Sequence, residues 1–114
     1  MKVLIYGLQS SGSTAAAFLL SQRPSTIGVL DLFCDALAPE LAEESKSHDI
    51  VLKATVSDKW TLQQQIEAFK PDVTILQSRN LSDNISSMST KRHRNTCGRM
   101  DDKVAMYKAL DKSL

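Results

Sequence analysis

The chain has 114 residues, 42% of them hydrophobic and 24% charged, and a formal net charge of +1. That leaves room for one domain, 1–114, with a core of its own. It excludes a disordered chain and gives no sign of a nucleic-acid binder or a membrane-surface protein.

Val3-Leu4-Ile5-Tyr6 is a wholly apolar run ending at Gly7. It is too short for a signal-peptide core or a membrane span, and it reads as a parallel strand buried on both faces. Gly7 to Ser13 is a Gly/Ser-rich turn, and Thr14–Ser21 reads as a helix ended by Pro24. Ile27–Phe33 holds a second strand, with Asp31 near its end as a capping or turn residue. Pro39–Lys46 is helix-like, with a first-turn proline and acids after it.

His48–Ala54 gives a third strand. Ser57 or Asp58 is the expected cap of the next helix, which carries Trp60, Leu62, Ile66 and Phe69 at helical spacing as core contacts. Pro71 ends it, and Asp72–Gln77 makes the fourth strand. Arg79–Thr90 is expected to be a loop entering a helix, and a last amphipathic helix is expected from about Asp101 to Lys112. Strands alternating with helices predict an α/β fold: a parallel sheet of four strands flanked by helices on both faces.

Gly7-Leu8-Gln9-Ser10-Ser11-Gly12-Ser13-Thr14 fits G-x-x-x-x-G-x-[ST], directly after a buried strand and directly before a helix. That is the context of a phosphate-binding P-loop. Backbone N–H groups and the helix dipole favour an anion there, glycine allows close approach, and Ser11, Ser13 and Thr14 add hydroxyl donors. A nucleoside triphosphatase would carry lysine at Ser13, and G-x-G-x-x-G is absent, so neither an ATPase nor a dinucleotide site is expected. The other reading of this stretch is a tight strand–turn–helix junction.

Further on, Arg79 follows the fourth strand and Ser87 stands eight positions beyond it. An arginine fork matches phosphate oxygens in a bidentate way, and a serine hydroxyl adds a donor.

Taken in order, the two stretches resemble the sulfotransferases. Their first motif is a lysine-less P-loop with a Ser-Gly-[ST]-[ST] core, matched by Ser11-Gly12-Ser13-Thr14. Their second is an arginine after a later strand with a serine eight residues on, matched by Arg79 and Ser87. The resemblance implies a P-loop NTPase-like fold of the sulfotransferase type and a site for 3′-phosphoadenosine-5′-phosphosulfate (PAPS) or its product (PAP), with no metal. It implies that Gly7 and residues 10–14 bind the 5′-phosphosulfate, and that Arg79 and Ser87 bind the 3′-phosphate. Sulfate would go to a hydroxyl or amine of a small molecule or glycan.

The chain also departs from the family. Lys or Arg usually precedes the Ser-Gly; here Ser10 stands there. If this resembles the loss of one oxyanion donor, it costs about 2–4 kcal/mol of transition-state stabilisation. Many members have a catalytic histidine after the third strand, where this chain has Thr55. Ser10 and Lys53 are the remaining catalytic candidates, Lys53 as a cation. The basic cluster Lys91, Arg92, Arg94 and Arg99 reads as a solvated face, or as a source of an arginine folding over the site.

After Arg79 only Gly98 remains of the glycines a closing nucleotide loop needs. The chain is therefore expected to be incomplete relative to the family, or completed by a second copy or a partner chain.

The competing readings are a binding or interaction module that kept the fold and lost the chemistry, and a small-molecule kinase relative. The missing loop lysine, and the lack of a clear acidic Mg²⁺ ligand beyond Asp31, count against the last. Cys34 and Cys97 have no partner spacing and build no metal cluster with His48 and His93, so reduced thiols and a cytoplasmic location are expected.

Overall fold

Two apolar runs form the middle of the fold. In the computed structural model, which describes residues 1–8, 11–30, 41, 44–56 and 59–90 (88–90 as backbone), they become neighbouring strands. The chain runs β1 (Lys2–Gly7), α1 (Ser13–Ser21), β2 (Thr26–Val29), a short 3₁₀ turn (Glu44–Lys46), β3 (Asp49–Thr55), α2 (Leu62–Phe69), β4 (Val73–Gln77) and α3 (Leu81–Thr90). The four strands form one parallel sheet in the order β2-β3-β1-β4, so β1 and β3 are central. This is the α/β architecture, and the four-stranded parallel sheet, that the alternation predicts.

The side-chain period of two divides each central strand between two cores. Val3, Ile5 and Val51 pack with Ala17, Ala16 and Leu20 of α1. Leu4, Tyr6, Ile50, Leu52 and Ala54 pack on the other face with Phe69, Leu62 and Ile66 of α2 and with Leu81 and Ile85 of α3. The crossovers explain the split. The β1→β2 connection and the β3→β4 connection run in opposite directions across the sheet, and right-handed crossovers then place their helices on opposite faces. With helices on both faces, Leu4, Ile5, Ile50 and Leu52 are fully buried, which is why these strands are apolar without alternation.

Several boundaries differ from the sequence expectation. Helix α2 is not capped by Ser57 or Asp58, which lie outside the described residues; it starts at Leu62 with Thr61 as its cap. Thr61 Oγ1 accepts from the Gln64 N–H (3.1 Å) while Gln64 Oε1 accepts from the Thr61 N–H (2.9 Å), a complete capping box. Trp60 therefore precedes the helix and does not share its spacing. It is half-buried, and its indole N–H is enclosed with no acceptor.

Lys70 closes α2 in a left-handed conformation before Pro71. Helix α3 begins earlier than expected because Asn80 caps it, its Oδ1 accepting from the Asp83 N–H at 3.2 Å. Of the expected helix Pro39–Lys46, the described part contains the 3₁₀ turn. The end of the expected second strand, residues 31–33, the basic cluster 91–99 and the helix Asp101–Lys112 lie outside the described residues.

Tyr6 carries a consequence of this burial. Desolvation pushes its phenol from 10.0 up to about 12. The folded state then holds the proton more tightly than the unfolded chain. Its stabilisation is complete below pH 10 and fades as pH rises from about 10 to about 12, by about 2–3 kcal/mol in all. Urea midpoints across that range are expected to fall more steeply for the native chain than for Tyr6→Phe, which lacks the ionisation.

Candidate functional site

Parallel strands send all their carboxyl ends to one edge, and the sequence candidates gather there. Gly7 ends β1, and its register partners are Thr55 at the end of β3 and Gln77 at the end of β4. These three residues make a row across the sheet. Helix α1 starts above it on one face and α3 starts beside it on the other, each with its N-terminus at this edge. An edge of this kind is where open α/β sheets collect ligands.

The loop reaches α1 through Gly12, which takes the left-handed conformation at φ 90° and provides no side-chain cap. The N–H groups of the first turn of α1 are therefore not satisfied by a capping side chain, which suits an anion. Ser13 is buried at the start of the helix and Thr14 is exposed beside it. Ser11 is 4% exposed, and its hydroxyl has no hydrogen-bond partner. Leaving a buried hydroxyl unpaired costs about 1–3 kcal/mol, so an oxygen that accepted its proton would be favoured there.

Close approach is built into the loop's base. A Cβ on Gly7 would lie 2.6 Å from the Gln77 carbonyl oxygen and 2.9 Å from Ser11 Oγ. Only hydrogen fits at that position.

Lys53 enters from β3. Alternation turns it to the α1 face, and its Nζ donates to Thr14 Oγ1 at 2.6 Å. The ammonium thus lies at the first turn of α1. Because the Thr14 oxygen accepts from Lys53, its own proton is left for a partner other than Lys53. Thr55, two residues on, faces the same side and is 4% exposed. Arg79 is exposed, two residues beyond Gln77 on the strand that pairs with β1.

Ser87 is half-buried in α3, about 9 Å along the helix from Leu81 at 1.5 Å per residue. The structure thus brings together Gly7, Ser11, Gly12, Ser13, Thr14 and Lys53. It sets Arg79 at the same edge, with Ser87 on the opposite face of the sheet from α1. Ser10 lies outside the described residues.

One participant is missing from the sequence reading. Gln77 Nε2 donates to the Ser11 carbonyl oxygen at 3.3 Å, tying the loop to β4. A glutamine ending an apolar strand carries no motif, and only the sheet order sets it against the loop.

The opposite, amino edge of the sheet holds different chemistry. The Met1 ammonium donates to Asp49 Oδ1 at 2.6 Å, and this hydrogen bond holds the Asp49 carboxyl below its usual range. An open polar pocket there, lined by Met1, Ser25 and residues 45–49, contains none of the candidate residues. Among the described residues no three His, Cys, Asp or Glu side chains group as metal ligands, and no helix is long and apolar enough to cross a membrane. No family model, curated protein or solved structure matches the chain.

Proposed function

We propose that the chain is a sulfotransferase-type nucleotide-binding domain of P-loop-like fold that holds PAPS or PAP and delivers sulfate to a hydroxyl or amine of a small-molecule or glycan acceptor. The observation that carries this reading is the pairing of β1 with β4, which sets Gly7, residues 11–14 and Arg79 at one sheet edge. A nucleotide with phosphates on both its 5′ and 3′ positions needs two anion sites of this kind. The first is a helix N-terminus with serine hydroxyls. The second is the Arg79 guanidinium, which the family pattern pairs with the Ser87 hydroxyl further along α3.

The absent charge of the loop has a substitute on β3. Neither Ser10 nor Ser13 is a cation, yet the Lys53 ammonium reaches Thr14 in the first turn of α1. In sulfate transfer the acceptor oxygen or nitrogen bonds to sulfur. The bond from sulfur to the bridging oxygen of the 5′-phosphate breaks, and that phosphate keeps the electron pair. The α1 amides, Ser11, Thr14 and Lys53 would stabilise the charge gathering on it, at an edge where donors are fixed before reaction.

The acceptor's proton must also leave. Thr55, at the position of the family's histidine, has no basicity for that task near neutral pH. This observation favours a second reading, a domain that binds the nucleotide without turning it over. Incubation with sulfur-labelled PAPS and a panel of hydroxyl and amine acceptors separates the two. Labelled acceptor with matching PAP release supports the transferase; PAP binding without either product supports the binding module.

A further inference from the structure

We infer that Gln77 is a positioning residue of the phosphate loop, fixing the peptide plane between Ser11 and Gly12 so that its N–H is presented to the bound anion. The inference rests on the nucleotide reading above and adds to it a residue that neither sequence motif contains.

The argument begins with the peptide unit. It is planar and trans, so the N–H of Gly12 points opposite to the C=O of Ser11. Gln77 Nε2 holds that C=O from the side of β4 at 3.3 Å. The donor assignment is unambiguous, because a carbonyl oxygen can only accept, and the amide nitrogen is the donor end of glutamine. The Gly12 N–H therefore points away from Gln77 and β4.

The neighbouring peptide is held as well, since the Ser11 N–H donates to the Leu8 carbonyl at 3.2 Å. Ser11 is thus fixed on both sides, by the loop's own turn and by Gln77. Gly12 follows at φ 90° and ψ 7°, a conformation that side chains other than hydrogen rarely adopt. Freed from Gln77, this glycine would have little to keep the plane from rotating.

The position is particular to residue 77. Gln77 pairs with Gly7 in the sheet register and shares the α1 face with Ile75. Its amide lies 3.7 Å from where a Cβ of Gly12 would stand. An apolar side chain there would fill the space but could not donate. A loop whose N–H groups are set before the anion arrives loses less freedom on binding, which is how a residue that never touches ligand raises affinity.

The test is PAP affinity by calorimetry in two variants, each set against its melting temperature. Gln77→Met keeps length and removes the donor. It is expected to weaken PAP about fivefold, the equivalent of one neutral hydrogen bond. Gln77→Glu gives the sharper readout. An ionised carboxylate repels the Ser11 carbonyl and the anion, whereas the protonated acid donates to that carbonyl as the amide does.

The affinity of Gln77→Glu relative to the native chain at the same pH is therefore expected to be at least tenfold weaker at about pH 8. It should recover toward parity as pH falls to about 4 and the carboxyl takes up a proton. Taking the ratio cancels the titration of the nucleotide itself. A residue that merely supported the fold would lower the melting temperature and leave the ratio flat with pH.

Native affinity in Gln77→Met, or a flat ratio in Gln77→Glu, beside a native chain that binds PAP, overturns the role of Gln77 alone. No PAP binding by the native chain overturns the nucleotide reading and this role with it.

Discussion

If the chain transfers sulfate as proposed, replacing Lys53 by methionine is expected to lower that rate by about 10²–10³-fold, the usual loss when one fixed donor to developing charge is removed. The expectation comes from alternation along β3. Lys53 falls on the α1 face near the end of the strand, and its ammonium donates to Thr14 at 2.6 Å. Methionine preserves much of the apolar stem and removes only the charge.

The reason for a large effect is the composition of the loop, which has serine at both positions where the phosphate loops of nucleoside triphosphatases and of sulfotransferases carry a cation. The loss should fall mainly on kcat. PAP, which already bears full charge on its 5′-phosphate, is expected to bind within about tenfold of native affinity, or about 1.4 kcal/mol. Equal losses in turnover and in PAP affinity would make Lys53 a ground-state contact with no special role in the transfer step.

The second large effect concerns stability. Gly7→Ala is expected to destabilise the chain by about 2–3 kcal/mol through overpacking. The added Cβ would lie 2.6 Å from the Gln77 backbone carbonyl and 2.9 Å from Ser11 Oγ. A serine side chain can rotate out of the way, but the β4 backbone can yield only by giving up its register with β1. Loss of that pairing would also carry Gln77 and Arg79 away from the loop. A lower urea midpoint together with weakened PAP binding is the expected result. A variant as stable as the native chain would show that β4 can shift at no cost, and that Gly7 is present for another reason.

Much of this architecture was legible in the chain itself, and the misses have definite causes. Val3–Tyr6 and Ile50–Leu52 announced central strands because burial on both faces removes alternation, and the structure puts them side by side. The glycines at positions 7 and 12 marked the turn for the same steric reasons that the structure displays. Helix starts were read less well. Ser57 and Asp58 looked like caps by composition, whereas the reciprocal pair Thr61 and Gln64 satisfies two backbone donors at once and sets the start. Asn80 sits in a Ser/Asn-rich stretch with no helical period of its own, so its capping of α3 is visible only in the structure.

Sheet order was the least accessible feature. Local pattern says that β1 is buried, but nothing in it says that β4 lies beside it. The contacts that depend on that adjacency, Gln77 with Ser11 above all, were therefore absent from the sequence reading. Lys53 was visible as a strand-end cation, and its partner Thr14 was not, because the two are 39 residues apart and meet only through the packing of α1 on β3.

The central claim is a site for a nucleotide with phosphates on both its 5′ and 3′ positions, and calorimetric titration of PAP and of ATP into the native chain and into Arg79→Ala tests it most directly. The account predicts native PAP binding at about micromolar Kd with ATP much weaker, and a loss of at least about tenfold, or 1.4 kcal/mol, for PAP in Arg79→Ala. PAP and ATP binding equally, or PAP affinity unchanged by removal of the Arg79 guanidinium, would contradict it.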